Sequence, residues 1–377
     1  MGQNTNISKN YWGETIAVCL LSANTLFFFP LDKVLLIFFV FALVIARGEK
    51  MIVPINNWII YILVLISCVV SSAINLTASV ITLFPIPALA FVYFAVHYKD
   101  FFRLLYGGMT LHVVLGFLIL IVSYIIPDIG WYGSLWTKGM PFIHTPMGFV
   151  STVQVYGTLC IIWLILYYCK RRMNDVTRVD KLLYFIVTVA IIATCNRSTY
   201  LFYFLLLIFN DRRILLLYFI VVSIAIILLF NEGLGNVLFN IDTLESRSEL
   251  LEGFNLSFWK TGNIYTYLFG RGTNILGEEV LNKVKWDYRS DIENGYAMLL
   301  HTYGFWGLGV FVFSALAFVV KLFLQRHWQL GIIVFYYFFI SSYFTQEFVS
   351  TSFYLLIIAV CLVSNMNKKA TYEFTGN

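Results

Sequence analysis

Long apolar runs separated by short polar connections fill most of the chain, and about 20 apolar residues suffice for a helix to cross a bilayer. The pattern predicts an all-α polytopic membrane protein with about 12 transmembrane helices. The predicted spans lie near residues 14–30, 33–46, 57–74, 78–96, 104–127, 149–169, 182–195, 198–209, 214–230, 295–320, 329–343 and 349–364.

One segment interrupts this pattern. Residues 231–294 are largely polar and carry six Lys and Arg side chains. Chain that cannot sit in lipid lies in water or in a protein-lined cavity, where substrates bind. We therefore predict transmembrane helices 1–9 in residues 1–230, a loop with amphipathic helices in 231–294, and helices 10–12 with a tail in 295–377.

The basic residues orient the predicted spans. If both termini are cytoplasmic, 16 of the 25 Lys and Arg residues face the cytoplasm. The strongest markers are the basic loop at 170–181 and the tail at 367–369. This orientation makes the 231–294 loop extracytoplasmic.

Two of the runs, 182–195 and 198–209, are short for a span, and basic residues flank the pair on both sides. We predict a hairpin with its apex at Arg197, below the outer surface. An arginine there is costly unless it faces a water-filled cavity or an anionic partner. The alternative is one tilted helix, which would reverse every later loop and place 231–294 in the cytoplasm.

Composition agrees with a membrane protein, since 60% of the residues are hydrophobic and 12% are charged. The six cysteines lie in or beside apolar runs, and none falls in 231–294. We expect neither a disulfide-stapled domain nor a zinc site, because Cys and His do not cluster at ligand spacing. We expect no bound metal, no cofactor and no nucleic-acid partner.

Three arginines on the predicted outer face are candidates for binding an anion: Arg197, Arg247 and Arg271. Glycines on both sides of Arg271 would let the backbone bend around an anion while the guanidinium reaches it. Arginine suits pyrophosphate because its planar fork meets two oxygens and stays charged. The alternative is a set of loop salt bridges, which contribute little.

Further candidates crowd the start of the helix that follows the loop. Asp291, Glu293 or His301 could take a proton from a sugar hydroxyl, and Asn294 and Tyr296 could contact an acceptor. For Asp291 the alternative is a helix cap. For His301 the alternative is a buried histidine whose hydrogen bonds are satisfied within the fold.

At these positions the chain resembles the O-antigen polymerase and O-antigen ligase superfamily of bacterial inner membranes. The overall plan is similar, with many spans and one large outward loop in the C-terminal half. The matching motifs are Asn196-Arg197-Ser198-Thr199, Ser246-Arg247-Ser248 followed by Trp259, Gly270-Arg271-Gly272, Glu293-Asn294-Gly295-Tyr296 and Gly304-Phe305-Trp306-Gly307-Leu308.

The resemblance implies a metal-independent, GT-C-like glycosyltransferase in the bacterial cytoplasmic membrane. Its donor would be an oligosaccharide on undecaprenyl pyrophosphate, and a chain-length regulator could be a partner. A polymerase adds the glycan to another lipid-linked repeat unit, whereas a ligase adds it to lipid A-core. Ligases have a histidine immediately before the Asn of the closing helix, and Glu293 stands there instead, which favours a polymerase.

Two readings from other classes remain open. A flippase for lipid-linked oligosaccharide would have charged residues near mid-membrane and often two similar halves. The sequence shows no internal repeat, and its charged cluster lies on one side. An assembly protein of an export complex would need no arginine constellation.

Overall fold

Helices make up most of the described chain. The structure, a computed structural model, describes residues 11–23, 55–75, 101–135, 140–216, 219–220, 223, 251, 254–272, 294–345 and 351–375. The α-helices are α1 (Tyr11–Ser22), α2 (Ile55–Asn75), α3 (Phe101–Ser123), α4 (Val153–Arg172), α5 (Arg178–Ala193), α6 (Arg197–Asn210), α7 (Ile264–Phe269), α8 (Gly295–Leu324), α9 (Trp328–Phe335) and α10 (Thr351–Thr375).

Shorter elements connect these helices. Asn255–Lys260 and Tyr336–Ile340 are π-helical, and Pro127–Ile129 and Ser341–Tyr343 form 3-10 turns. Strands β1 (Tyr132–Leu135) and β2 (Met140–Pro146) pair as an antiparallel hairpin, which the apolar pattern did not predict.

Within the described residues, three helices are long and apolar enough to cross a membrane: α3, α4 and α8. The helical character of the prediction is therefore confirmed. The predicted spans at 33–46 and 78–96, and most of the one at 214–230, lie outside the described residues. The full count of about 12 spans stays a prediction.

Helix α4 forms the centre of the bundle, and α3, α5, α6 and α10 pack against it. Its residues from Val155 to Cys169 are all buried, so the helix is apolar on every side. Trp163 Nε1 donates a hydrogen bond to Thr110 Oγ1 of α3 at 2.7 Å. At Gly157 a Cβ atom would lie only 2.2 Å from Thr199 Oγ1, so this glycine allows α6 to approach α4 closely.

Helices α5 and α6 form the predicted hairpin rather than one continuous helix. The chain turns at Cys195, whose φ is +47°, and Asn196 caps α6 by accepting from the Thr199 backbone N–H at 3.1 Å. The two helices then lie side by side, since Thr188 Oγ1 and Tyr203 Oη are 3.2 Å apart.

The start of α5 and the end of α6, which lie away from the apex of the hairpin, meet at one end of α4. Lys170 Nζ contacts Asp180 Oδ2 of α5 at 2.8 Å, and Arg171 pairs with Asp211 beyond α6. Burial would raise the pKa of Asp180, but hydrogen bonds from Lys170, Thr177 and Tyr106 lower it to about 2. The α5–α6 pair therefore returns the chain to the side on which it began. We call residues 170–181 and 210–213 the basic end.

The opposite end of the bundle contains the hairpin apex. Ser198 Oγ lies 2.9 Å from Ser341 Oγ, and Tyr296 at the start of α8 donates to the Phe338 carbonyl at 2.5 Å. The C-terminal end of α8 lies toward the basic end, where Arg172 donates to Gln329 just beyond it. We call residues 196–199, 254–272, 294–304 and 336–343 the apex end.

Candidate functional site

A break in α8 organises the apex end. Gly304 has non-helical φ and ψ of +67° and −169°, so the carbonyls just before it lack their usual helical partners. The Arg271 backbone N–H donates to the His301 carbonyl at 2.6 Å, and the Gly272 N–H donates to the Thr302 carbonyl at 3.2 Å. Ser71 Oγ of α2 also donates to the Thr302 carbonyl, at 2.6 Å. The loop that contains Arg271 and the neighbouring helix α2 thus supply the hydrogen bonds that the carbonyls of the broken segment need.

Two glycines allow this loop and α8 to touch. A Cβ atom at Gly270 would lie 2.4 Å from the Thr302 carbonyl, and one at Gly304 would lie 2.4 Å from the Leu268 carbonyl. Both glycines also have positive φ, at +81° and +67°, which side chains disfavour. The contact is therefore reciprocal, with each glycine lying against the backbone of the other segment.

This arrangement corrects one part of the sequence prediction. The glycines around Arg271 were expected to let the backbone wrap an anion, but the N–H groups of Arg271 and Gly272 point to carbonyls of α8. The break at Gly304 leaves those carbonyls without helical partners, so they accept the hydrogen bonds of the loop N–H groups. An anion at this loop would contact the Arg271 side chain instead.

The Arg271 side chain belongs to a closed ring of hydrogen bonds. Its Nη2 donates to the Thr261 carbonyl at 2.6 Å and to Thr261 Oγ1 at 2.8 Å. Thr261 Oγ1 donates to the Ser257 carbonyl at 2.8 Å, and Ser257 Oγ lies 3.0 Å from His301 Nε2. The Arg271 N–H to His301 carbonyl bond closes the ring. Each side chain is fixed by its neighbours.

Two buried polar atoms of this ring lack a hydrogen-bond partner among the described residues: Arg271 Nε and His301 Nδ1. Burial lowers the pKa of the Arg271 guanidinium, and Tyr267 partly opposes this effect. Buried polar groups are nearly always hydrogen-bonded, and a desolvated cation gains more than a neutral group from an anionic partner. A buried N–H without a partner can bind an acceptor oxygen.

Ser257 is also the hydrogen-bond partner of His301. Ser257 Oγ and His301 Nε2 lie 3.0 Å apart, and the tautomer of the imidazole decides which of the two donates. A neutral imidazole that accepts at Nε2 carries its proton at Nδ1. His301 is fully buried at 0% exposure. Among the described residues its Nδ1 has no hydrogen-bond partner.

Arg197 lies at the same end of the bundle as Arg271. It is exposed at the first position of α6, and the apex next to it contacts residues 336–341. That segment reaches α8 at Tyr296, whereas the Arg271 loop reaches it at Thr302. Six residues of helix separate these attachments, about 9 Å along the axis. The remaining predicted ligands and bases, Arg247, Asp291 and Glu293, lie outside the described residues.

The two predicted acceptor-binding residues use their polar atoms within the chain. Asn294 is the N-cap of α8, and its Oδ1 accepts from the backbone N–H groups of Tyr296 and Ala297 at 3.0 Å each. The Tyr296 hydroxyl donates to the Phe338 carbonyl. These contacts position the start of α8.

Ser257 and Thr261 were not predicted as site residues. They stand four residues apart, so they share one helical face, and this spacing was the available signal. In the described part of the chain, His, Cys, Asp and Glu form no group of three or more that could hold a metal ion.

The chain matches no protein-family model and no curated protein sequence. Fold and site therefore define its class. It is a mostly helical protein whose described residues include three helices able to cross a membrane, and one end of its bundle holds a half-buried arginine beside a buried histidine.

Proposed function

We propose that the protein is a polysaccharide polymerase that joins undecaprenyl-pyrophosphate-linked oligosaccharide repeat units. The observation that carries this proposal is the Arg271–His301 pair, in which Arg271 Nε and His301 Nδ1 are buried and have no hydrogen-bond partner among the described residues. A pyrophosphate oxygen has the charge and acceptor capacity that both nitrogens require. The resemblance described above points to the same donor.

Arg271 would act on the leaving group of this reaction. A hydroxyl of the acceptor sugar attacks the anomeric carbon of the donor, and the bond from that carbon to the phosphate oxygen breaks. Negative charge then grows on the departing lipid pyrophosphate, where Arg271 and the Nδ1–H of His301 stabilise it. The hydroxyl proton passes to a carboxylate, for which Glu293 and Asp291 are the candidates.

The proposed topology has about 12 spans and cytoplasmic termini in a bacterial inner membrane. The return of the α5–α6 hairpin to the basic end supports the even number of crossings on which this orientation depends. A basic end faces the cytoplasm by the positive-inside rule. The apex end and the 231–294 loop then face outward, where lipid-linked units are polymerised.

Purified protein incubated with lipid-linked repeat units tests the proposal. A polymerase gives a ladder of longer glycans with no other protein present. A product that forms only with lipid A-core would instead show a ligase. Movement of lipid-linked units across vesicles without new glycosidic bonds would show a flippase.

Arg271→Ala should abolish the ladder, and Arg271→Lys should restore only a small part of it, because a lysine cannot hold Thr261 and the ligand with one planar fork. Arg326→Ala is the matched control, since this exposed arginine lies past the far end of α8. Ladders of normal length and yield from Arg271→Ala would contradict the assignment.

A further inference from the structure

The basic end carries more positive charge than its own acidic residues balance. Residues 170–181 and 210–213 include seven Lys and Arg side chains and three Asp side chains. Two of those acids are already used, because Asp180 pairs with Lys170 and Asp211 pairs with Arg171. Four exposed cations at this end have no ion-pair partner among the described residues: Arg178, Lys181, Arg212 and Arg213.

On α5 the exposed cations continue directly into an exposed apolar stripe. Arg178, Lys181, Leu182 and Phe185 follow the i, i+3, i+4, i+7 spacing of one helical face. Leu182 is 61% exposed and Phe185 is 65% exposed. The face is thus charged at the end of the bundle and apolar one turn further in.

The same order of charged and apolar residues repeats after α6. Arg212 and Arg213 begin it, and Leu216 and Phe219 follow with 65% and 51% exposure. This second stripe again places cations at the end of the bundle and large apolar side chains beyond them.

Both stripes are anchored to consecutive residues of α4. Lys170 holds the start of α5 through Asp180, and Arg171 holds the start of the second stripe through Asp211. Arg178 and Lys181 also stand in the first turn of α5, where the helix dipole adds positive potential. The two stripes therefore present a combined positive field at one level of the bundle.

We propose that the two stripes bind anionic phospholipid, with the phosphate of its headgroup on the four cations and its acyl chains on the apolar residues beyond. Charge alone would suit any polyanion. The exposed leucines and phenylalanines one to two turns away need an apolar partner, and a phospholipid supplies both parts. The inference rests on the proposed membrane embedding, not on the proposed reaction.

The test is native mass spectrometry of delipidated full-length protein titrated with phosphatidylglycerol or phosphatidylcholine. The wild-type protein should bind phosphatidylglycerol more tightly, and higher salt should reduce the difference. Two double variants remove the cations of one stripe each: Arg178→Gln/Lys181→Gln and Arg212→Gln/Arg213→Gln. Each should weaken phosphatidylglycerol binding by about fivefold for each cation removed. Phosphatidylcholine binding should not change.

Lys260→Gln is the control, because this exposed cation lies at the apex end. Equal affinity of the wild type for the two lipids would overturn the proposal, and so would wild-type lipid preference in both double variants. Each double variant keeps Lys170 and Arg171, so the ion pairs that hold the fold remain. Both should also keep the ladder-forming activity of the wild type. A wild type without that activity but with lipid preference would reject the proposed reaction and leave this inference standing.

Discussion

His301 shows how one residue can be half structural and half available to a ligand. Its Nε2 faces the Ser257 hydroxyl at 3.0 Å, and its buried Nδ1 has no partner within the described chain. The sequence left two hypotheses for this histidine: it carries a proton, or it is buried with its hydrogen bonds satisfied within the fold. We propose a third role, in which Ser257 donates to Nε2 and the neutral ring donates from Nδ1 to a bound oxygen.

Substitution of His301 separates these roles, because Asn places an N–H close to the position of Nδ1 whereas Gln reaches the position of Nε2. If His301 donates a hydrogen bond, His301→Asn should keep most of the polymerisation rate and His301→Gln should lose most of it. If His301 carries the proton, both variants should lose about 10²–10⁴-fold. Initial rates of repeat-unit consumption, measured with equal amounts of folded protein, decide between the two.

At the scale of elements, the break in α8 joins the loop of Gly270, Arg271 and Gly272 to the bundle. Gly270 and Gly304 lie against each other's segments, and two backbone hydrogen bonds from Arg271 and Gly272 complete the contact. Irregular backbone inside a bundle needs such partners, because lipid cannot supply them. The position of the Arg271 guanidinium thus depends on the close approach of Gly270 and Gly304.

Gly304→Ala and Gly270→Ala should lower thermal stability in detergent and abolish polymerisation together. Each new methyl would meet backbone atoms at 2.4 Å, and the positive φ adds a cost of about 1–2 kcal/mol. Gly309→Ala is the matched control, because α8 has nothing within 4 Å of a Cβ there. Equal melting temperatures for all three variants would show that the contact between loop and helix does not form.

The sequence predicts helices better than it predicts their interruptions. Apolar runs and flanking charges predicted α3, α4 and the α5–α6 hairpin, because burial in lipid dictates both patterns. The break at Gly304 was missed, since that glycine stands in a continuous apolar run. The β1–β2 hairpin was also missed, because it falls in a segment too polar to form a span.

The same limit applies to the site. Arg271 and His301 could be singled out as charged or titratable residues in unusual surroundings. Their link through Ser257 could not, because 44 residues separate Ser257 from His301 and only the fold brings them together. The sequence analysis also did not predict that Asn294 caps α8, although asparagine is a common cap.

At the scale of the whole molecule, the bundle has two chemically different ends. The ion pairs of Lys170 and Arg171 hold the segments of the basic end together. Arg197, Arg271 and His301 lie at the apex end. A membrane enzyme that uses lipid-linked substrates outside the cytoplasm needs this polarity. The proposed reaction requires that the apex end of the bundle faces outward, where the lipid-linked substrate is expected.

Labelling of single cysteines with a membrane-impermeant maleimide tests that orientation most directly. The two sites would be Lys260→Cys at the apex end and Arg212→Cys at the basic end, both exposed positions, in a background without native cysteines. In intact spheroplasts, Lys260→Cys should react at once and Arg212→Cys only after permeabilisation. The reverse order would put the Arg271 site in the cytoplasm and contradict the account.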